Sequence, residues 1–335
     1  MYSKYRTLNQ VLSLINTRID LPRDAVIDQL FLKIVATVAN ASSTEAYDGT
    51  NEAILRAIQE IRVVSDGSTV HYALSAADVA LLNAYNSKAG FTVPLGGPVA
   101  IGTSASKTLT YYLRLDEGDI LAASKDSLEA KIVVNPTVAA DVTISALTCT
   151  VTLVENVLTP EEFVASYGAN LEYAAEPKVY ALSVPVTAST ELTNVLDLPT
   201  GSLARAGMLQ FINPATGLAG TVDPTAIGLI NTSPDRREVL HVDFPTLQAI
   251  NSAEYDEGAI ISPALVPLPG VALLNYAKDV TCDGYGLRGW RFTKGDWQLA
   301  ARTANAATLR YVCLEHVVNS GVFDAAERAV LERTR

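Results

Sequence analysis

The sequence predicts an all-β protein with a few short helices, arranged as two β-sandwiches in tandem. Three observations carry this expectation. The chain has 335 residues, long for one ordinary domain and comfortable for two of about 150 each. Its local signals are mostly those of strands: apolar residues alternating with polar ones, punctuated by Gly and Pro pairs. It also repeats itself. Asp20-Leu21-Pro22 recurs as Asp197-Leu198-Pro199, and Leu113-Arg114-Leu115 with Gly118-Asp119 recurs as Trp290-Arg291-Phe292 with Gly295-Asp296, both at a spacing of 177. Two matches at one offset mark a duplication.

Residues 1–19 are predicted as an N-terminal arm or helix, because Tyr5, Leu8, Val11, Leu12 and Ile15 fall on one helical face near Lys4 and Arg6. The first Asp-Leu-Pro precedes a strand in which Leu30, Leu32, Ile34, Ala36 and Val38 alternate with Gln29, Lys33 and Thr37. Thr50 can cap a helix over 51–61, with Ile54, Leu55, Ile58 and Ile61 on one face. Ser75 and Asp78 have capping-box spacing before Val79 and Leu82. That helical segment, 75–86, parallels 244–255, and the two share an asparagine, Asn83 and Asn251. Each is followed by an uncharged, proline-bearing stretch. Each half then closes on a strand holding a cysteine, with Leu147, Cys149, Val151 and Leu153 alternating with threonines in the first. Trailing helices follow, one begun by Thr159-Pro160-Glu161-Glu162 and one over 323–333. The expected layout is an arm over 1–19, a first sandwich with its helix over 20–174, and a second over 175–335. The repeated cores, about 20–157 and 195–319, are expected to be eight-stranded and superposable.

Composition excludes several functions. Apolar residues make up 49% of the chain, which excludes disorder. Charged residues make up only 18%, below the roughly 25% usual for soluble proteins, which points to extensive partner interfaces. A net charge of −11 has the wrong sign for a general nucleic-acid binder. Cys149, Cys282 and Cys313 form no CxxC, so buried thiols in a reducing compartment are expected. No targeting signal is visible, and Pro263, Pro267 and Pro269 interrupt the uncharged stretch 258–277, so a soluble chain is expected.

Catalytic motifs fail one by one. Gly284-Tyr-Gly286-Leu-Arg-Gly289 matches a dinucleotide fingerprint in letters, but a strand-like WRF follows where a helix is required. His71, His241 and His316 are isolated, which excludes the paired histidines of a two-domain cupin. There is no GxSxG. Asp116, Glu117 and Asp119, with Asp296 in the second half, lack EF-hand spacing and suit a turn between strands. No enzyme and no cofactor are expected; a structural calcium ion at these acids is the one metal they leave open.

A duplicated chain of two β-sandwiches without an active site resembles the double jelly-roll major capsid proteins of tailless icosahedral viruses, the lineage of adenovirus and the lipid-containing phages and archaeal viruses. The resemblance covers about 20–335. It implies a homotrimer that forms a pseudo-hexameric capsomer and tiles an icosahedral shell. It also implies a virion location after assembly in the host cytoplasm. Implied partners are neighbouring capsomers, minor capsid or penton proteins and an internal viral membrane, with no specific nucleic acid. The uncharged loops 89–106 and 258–277 nominate Val93, Leu95, Val99, Ile101, Ile260, Ile261, Leu265 and Leu268 for the trimer interface. Terminal segments lie at the capsid base in that family, which nominates Lys4, Tyr5, Arg6, Leu8, Val11, Leu12 and Ile15 as membrane-proximal. The alternatives are a minor capsid or vertex protein of the same fold, and a β-sandwich adhesin or carbohydrate-binding protein presenting Trp290 and Trp297.

Overall fold

The computed structural model describes residues 2–86, 95–171, 174–233, 236–255, 270–276, 289–290, 292 and 295–318. The chain divides into two units, Met1–Glu162 and Phe163–Arg335. The first contains β1 (Tyr2–Thr7), β2 (Leu12–Ser13), β3 (Arg18–Asp20), β4 (Val26–Asn40), β5 (Tyr47–Thr50), α1 (Asn51–Ala57), β6 (Ile58–Ser65), β7 (Thr69–Leu74), α2 (Ala76–Asn86), β8 (Pro98–Ile101), β9 (Ala105–Leu115), β10 (Leu128–Val134), β11 (Thr137–Ala139) and β12 (Val142–Val157). Helix α3 (Pro160–Tyr167) spans the boundary. The second unit continues with β13 (Ala175–Val186), β14 (Ser189–Asp197), β15 (Leu203–Ile212), β16 (Ala226–Asn231), β17 (Arg237–Asp243), α4 (Phe244–Tyr255), β18 (Val271–Asn275), β19 (Trp297–Thr303) and β20 (Ala307–Val318).

Alternation becomes layering. In β4 and β12 the side chains of Leu30, Leu32, Ile34, Leu147, Cys149, Val151 and Leu153 turn inward and are buried, while Lys33 and Thr148 turn out. The first unit pairs its strands as β9-β4-β12-β1 and β3-β10-β6-β7; the second as β18-β15-β20-β13 and β14-β19-β16-β17. In chain order these are the same connections. Sandwich strands one, three, six and eight make one sheet, and two, four, five and seven make the other. Each unit is therefore a jelly roll.

Finer landmarks repeat too. Asp20 pairs with Glu129 and the Leu21 N–H donates to Leu128 O at 2.9 Å; Asp197 pairs with Gln298 and the Leu198 N–H donates to Trp297 O at 2.9 Å. One β-bulge recurs at Asp28 in β4 and Arg205 in β15, and another at His71 in β7 and Val239 in β17. Ile27 bridges to Ile120 as Ala204 bridges to Trp290.

The second sequence match is coincidental. Leu113-Arg114-Leu115 lies within β9, whereas Trp290 follows β18 and is the counterpart of Ile120. Gly118-Asp119 precedes Ile120, while Gly295-Asp296 directly precedes β19. The common offset ends because the second unit has no counterpart of β5 and α1 between its third and fourth sandwich strands. The cysteines are not equivalent either: Cys149 faces Ile34, and Cys313 faces Gly207.

Two helix expectations also change. Thr50 does cap α1, accepting from the Ala53 N–H at 3.4 Å, but the helix stops at Ala57 and the β-branched run Ile58, Ile61, Val63, Val64 becomes β6. The N-terminal helix is a strand, because β1 pairs over its whole length with β12. Residues 1–19 thus belong to the first sandwich and are not a separate arm. The trailing helix expected over 323–333 and Cys282 lie outside the described residues. The capping boxes form as expected: Asp78 N–H to Ser75 Oγ at 3.1 Å with Ser75 N–H to Asp78 Oδ2 at 2.8 Å, and Glu162 N–H to Thr159 Oγ1 at 3.2 Å with Thr159 N–H to Glu162 Oε2 at 2.9 Å.

Candidate functional site

Two buried, ion-paired carboxylates lie at matching positions in the two units. Glu155, on β12, has 0% of its surface exposed. It faces Lys4 on β1 and Ile27 on β4. Lys4 Nζ approaches Glu155 Oε2 at 3.3 Å and Arg6 Nε at 3.0 Å. Asp24 closes the network on Arg6 at 2.6 Å, and that hydrogen bond holds the Asp24 carboxyl below its ordinary range. Glu315, on β20, faces Lys178 on β13 and Ala204 on β15. Lys178 Nζ lies 3.2 Å from its Oε2, and the Tyr180 hydroxyl donates to Oε1 at 3.2 Å. In both units a buried carboxylate ties the first strand to the last. Slipping either strand by one residue would strand that charge in the interior, so the pair fixes register.

A second matched pair is uncharged. Asn83 on α2 accepts the Arg114 N–H at 2.8 Å and donates to Arg114 O at 2.7 Å; Asn251 on α4 accepts the Leu273 N–H at 2.7 Å and donates to Leu273 O at 2.9 Å. Each amide plays the part of a neighbouring peptide group on an edge strand, β9 or β18. That covers two backbone groups another chain could otherwise pair with. The repeat singles out the two asparagines. It does not single out the glutamates, although Glu-x-Val at the end of both cysteine-bearing strands was the available signal.

The nominated surface residues scatter. Lys4 and Arg6 serve Glu155. Tyr5 is 78% exposed and Ile15 96%, whereas Leu12 is buried, Val11 is half-buried and the Leu8 N–H donates to Val151 O at 2.9 Å. They form no common face, because the segment is extended. Leu95, Val99 and Ile101 are buried inside the first unit, with β8 paired to β5. Val93, Ile260, Ile261, Leu265 and Leu268 lie outside the described residues.

Catalytic chemistry finds no constellation among the described residues. Buried His71 meets Ser65 Oγ at 2.9 Å, His241 meets Glu238 at 3.0 Å, and His316 lies 3.4 Å from Arg205, in three separate places. No group of three or more His, Cys, Asp or Glu among the described residues is placed to hold a metal ion. Asp116 pairs with Arg114 at 2.8 Å. Burial pushes the Cys149 thiol up to about 12 and raises Cys313 as well, the opposite of an activated thiolate. Trp297 is buried in the second unit's core, and Trp290, partly buried, packs against it at 4.7 Å beside Phe292.

No protein-family model and no curated protein sequence matches the chain. Solved structures do. The major capsid protein of STIV has a TM-score of 0.80 at 19% identity, over 95% of this chain and 97% of that one. A chain of the atomic structure of Sulfolobus Turreted Icosahedral Virus gives 0.78 at 19%, over 98% and 97%. The major capsid protein of bacteriophage PM2 gives 0.57 at 11%, over 94% and 97%. At these identities the likeness is one of fold, and the fold is the double jelly roll that the strand connections of both units spell out.

Proposed function

We propose that the chain is the major capsid protein of a tailless icosahedral virus. The observation that carries this reading is end-to-end likeness: the match to the STIV capsid protein spans 95% of this chain and 97% of the other. The duplication supports it mechanically. Three copies of a two-sandwich chain place six similar sandwiches around a threefold axis, a block that packs with six neighbours. Such obligate interfaces bury on the order of 2,000–5,000 Å² and are apolar, in keeping with a chain only 18% charged. The role is structural and non-enzymatic, in the virion after assembly in the host cytoplasm. Partners are further copies, penton or minor capsid proteins and an internal membrane. Burial of Trp297, with Trp290 packed against it, weighs against a carbohydrate-binding adhesin that displays both rings on a sheet face.

The purified protein should run in light scattering as a trimer of the 35.7 kDa chain and form flat or closed arrays in electron microscopy. A monomer at micromolar concentration that never assembles overturns the reading. Ile260, Ile261, Leu265 and Leu268 remain the proposed contacts within the trimer. Leu265→Asp or Leu268→Asp should yield monomer or aggregate, by placing an unpaired charge in a dry interface.

A further inference from the structure

One position in the duplicated fold is filled in the first unit and open in the second. Val63 on β6 faces Tyr72 on β7, and Leu229 on β16 faces Leu240 on β17, each pair lying one step from the shared bulge at His71 or Val239. Tyr72 and Leu240 are therefore counterparts. The Tyr72 ring is buried, and its hydroxyl accepts the Glu117 N–H at 3.1 Å. Glu117 lies three residues beyond Arg114, which Asn83 clamps; three residues beyond its counterpart Leu273 lies Tyr276. In the second unit the shorter, partly buried Leu240 stands at that register position. A cavity of about 200 Å³ is left, walled by Leu229, Leu240, Leu247, Leu274, Tyr276 and Trp290. Val239 (48% exposed) and Ile250 (43%) also line it and mark its opening to solvent.

We propose that this cavity binds a single uncharged aromatic ring of phenol size. An apolar cavity of about 150 Å³ already admits benzene. The wall includes the aromatic side chains of Tyr276 and Trp290. The ring is either a free small molecule or a tyrosine or phenylalanine side chain presented by another polypeptide. This inference does not depend on the assembly role.

The test titrates the full-length protein with p-cresol and, separately, with N-acetyl-tyrosinamide, following methyl NMR signals. Saturable p-cresol binding that shifts the methyls of Leu229, Leu240, Leu247 and Leu274 is expected. Leu240→Tyr should weaken it at least about tenfold by filling the space, and Leu240→Ala should keep it. Binding of p-cresol alone assigns the site to a free molecule; binding of both assigns it to a side chain. No binding of either probe, shifts confined to other methyls, or binding unchanged in Leu240→Tyr overturns the proposal. The methyl map decides the matter even if Leu240→Tyr fails to fold.

Discussion

Glu155 shows what a single side chain is asked to do here. Its carboxylate is fully buried, while its cations Lys4 and Arg6 each keep about a third of their surface in water. Replacing both by Met should cost about 3 kcal/mol in urea unfolding, the low end for stripping a buried carboxylate of its partners. Asp28, the bulged residue of β4, behaves in the opposite sense to Asp24. Burial, and then the Asp119 charge, raise its carboxyl above the usual range. A raised folded pKa favours the folded state below the unfolded carboxylate value, and that contribution is lost as pH rises through the folded one. Asp28→Asn should therefore raise the melting temperature near about pH 7, with the gain fading toward about pH 3. Alternation made the inward leucines of β4 and β12 legible in the sequence. It did not flag Glu155, which continues the inward series Leu147, Cys149, Val151 and Leu153 but puts a carboxylate where that pattern leads one to expect an apolar side chain.

At the scale of elements, the helices α2 and α4 matter for what they do to sheet edges. Each lays one asparagine along an edge strand and satisfies both groups of one residue. Asn83→Ala or Asn251→Ala leaves a donor and an acceptor unmet, and should cost about 2–4 kcal/mol each in denaturant unfolding. Both helices were legible, α2 from its capping box and α4 from its parallel to α2 and the asparagine they share. The start of the chain was not. Tyr5, Leu8, Leu12 and Ile15 have helical spacing, but Lys4 and Arg6 reach Glu155 only from an extended strand. That strand's partner, β12, lies at the far end of the unit's sequence, and no window around residue 5 contains it. The end of α1 failed for a different reason. Ile54, Leu55, Ile58 and Ile61 satisfy a helical period, yet Ile58 and Ile61 also begin a β-branched strand, and pairing with β10 decided the matter.

For the whole molecule, the duplication was the most readable feature, and only one of its two sequence signatures was sound. Asp-Leu-Pro falls at one structural junction in both units; the Gly-Asp pairs do not, because connections of unequal length intervene. The charge balance carries its own expectation. At −11 the protein should not retard duplex DNA in a gel shift at about 150 mM salt, since no excess of cations is available to release counterions. The landmarks held in common, two bulges, two buried glutamates and two clamping asparagines, also bear on the lineage of the gene. They are what copying of a single sandwich would carry into both halves. Strand β5 and helix α1, and the exchange between Tyr72 and Leu240, distinguish the first unit from the second among the described residues. What the halves share is what any ancestor needed in order to fold; where they differ is where two descendants took up separate work.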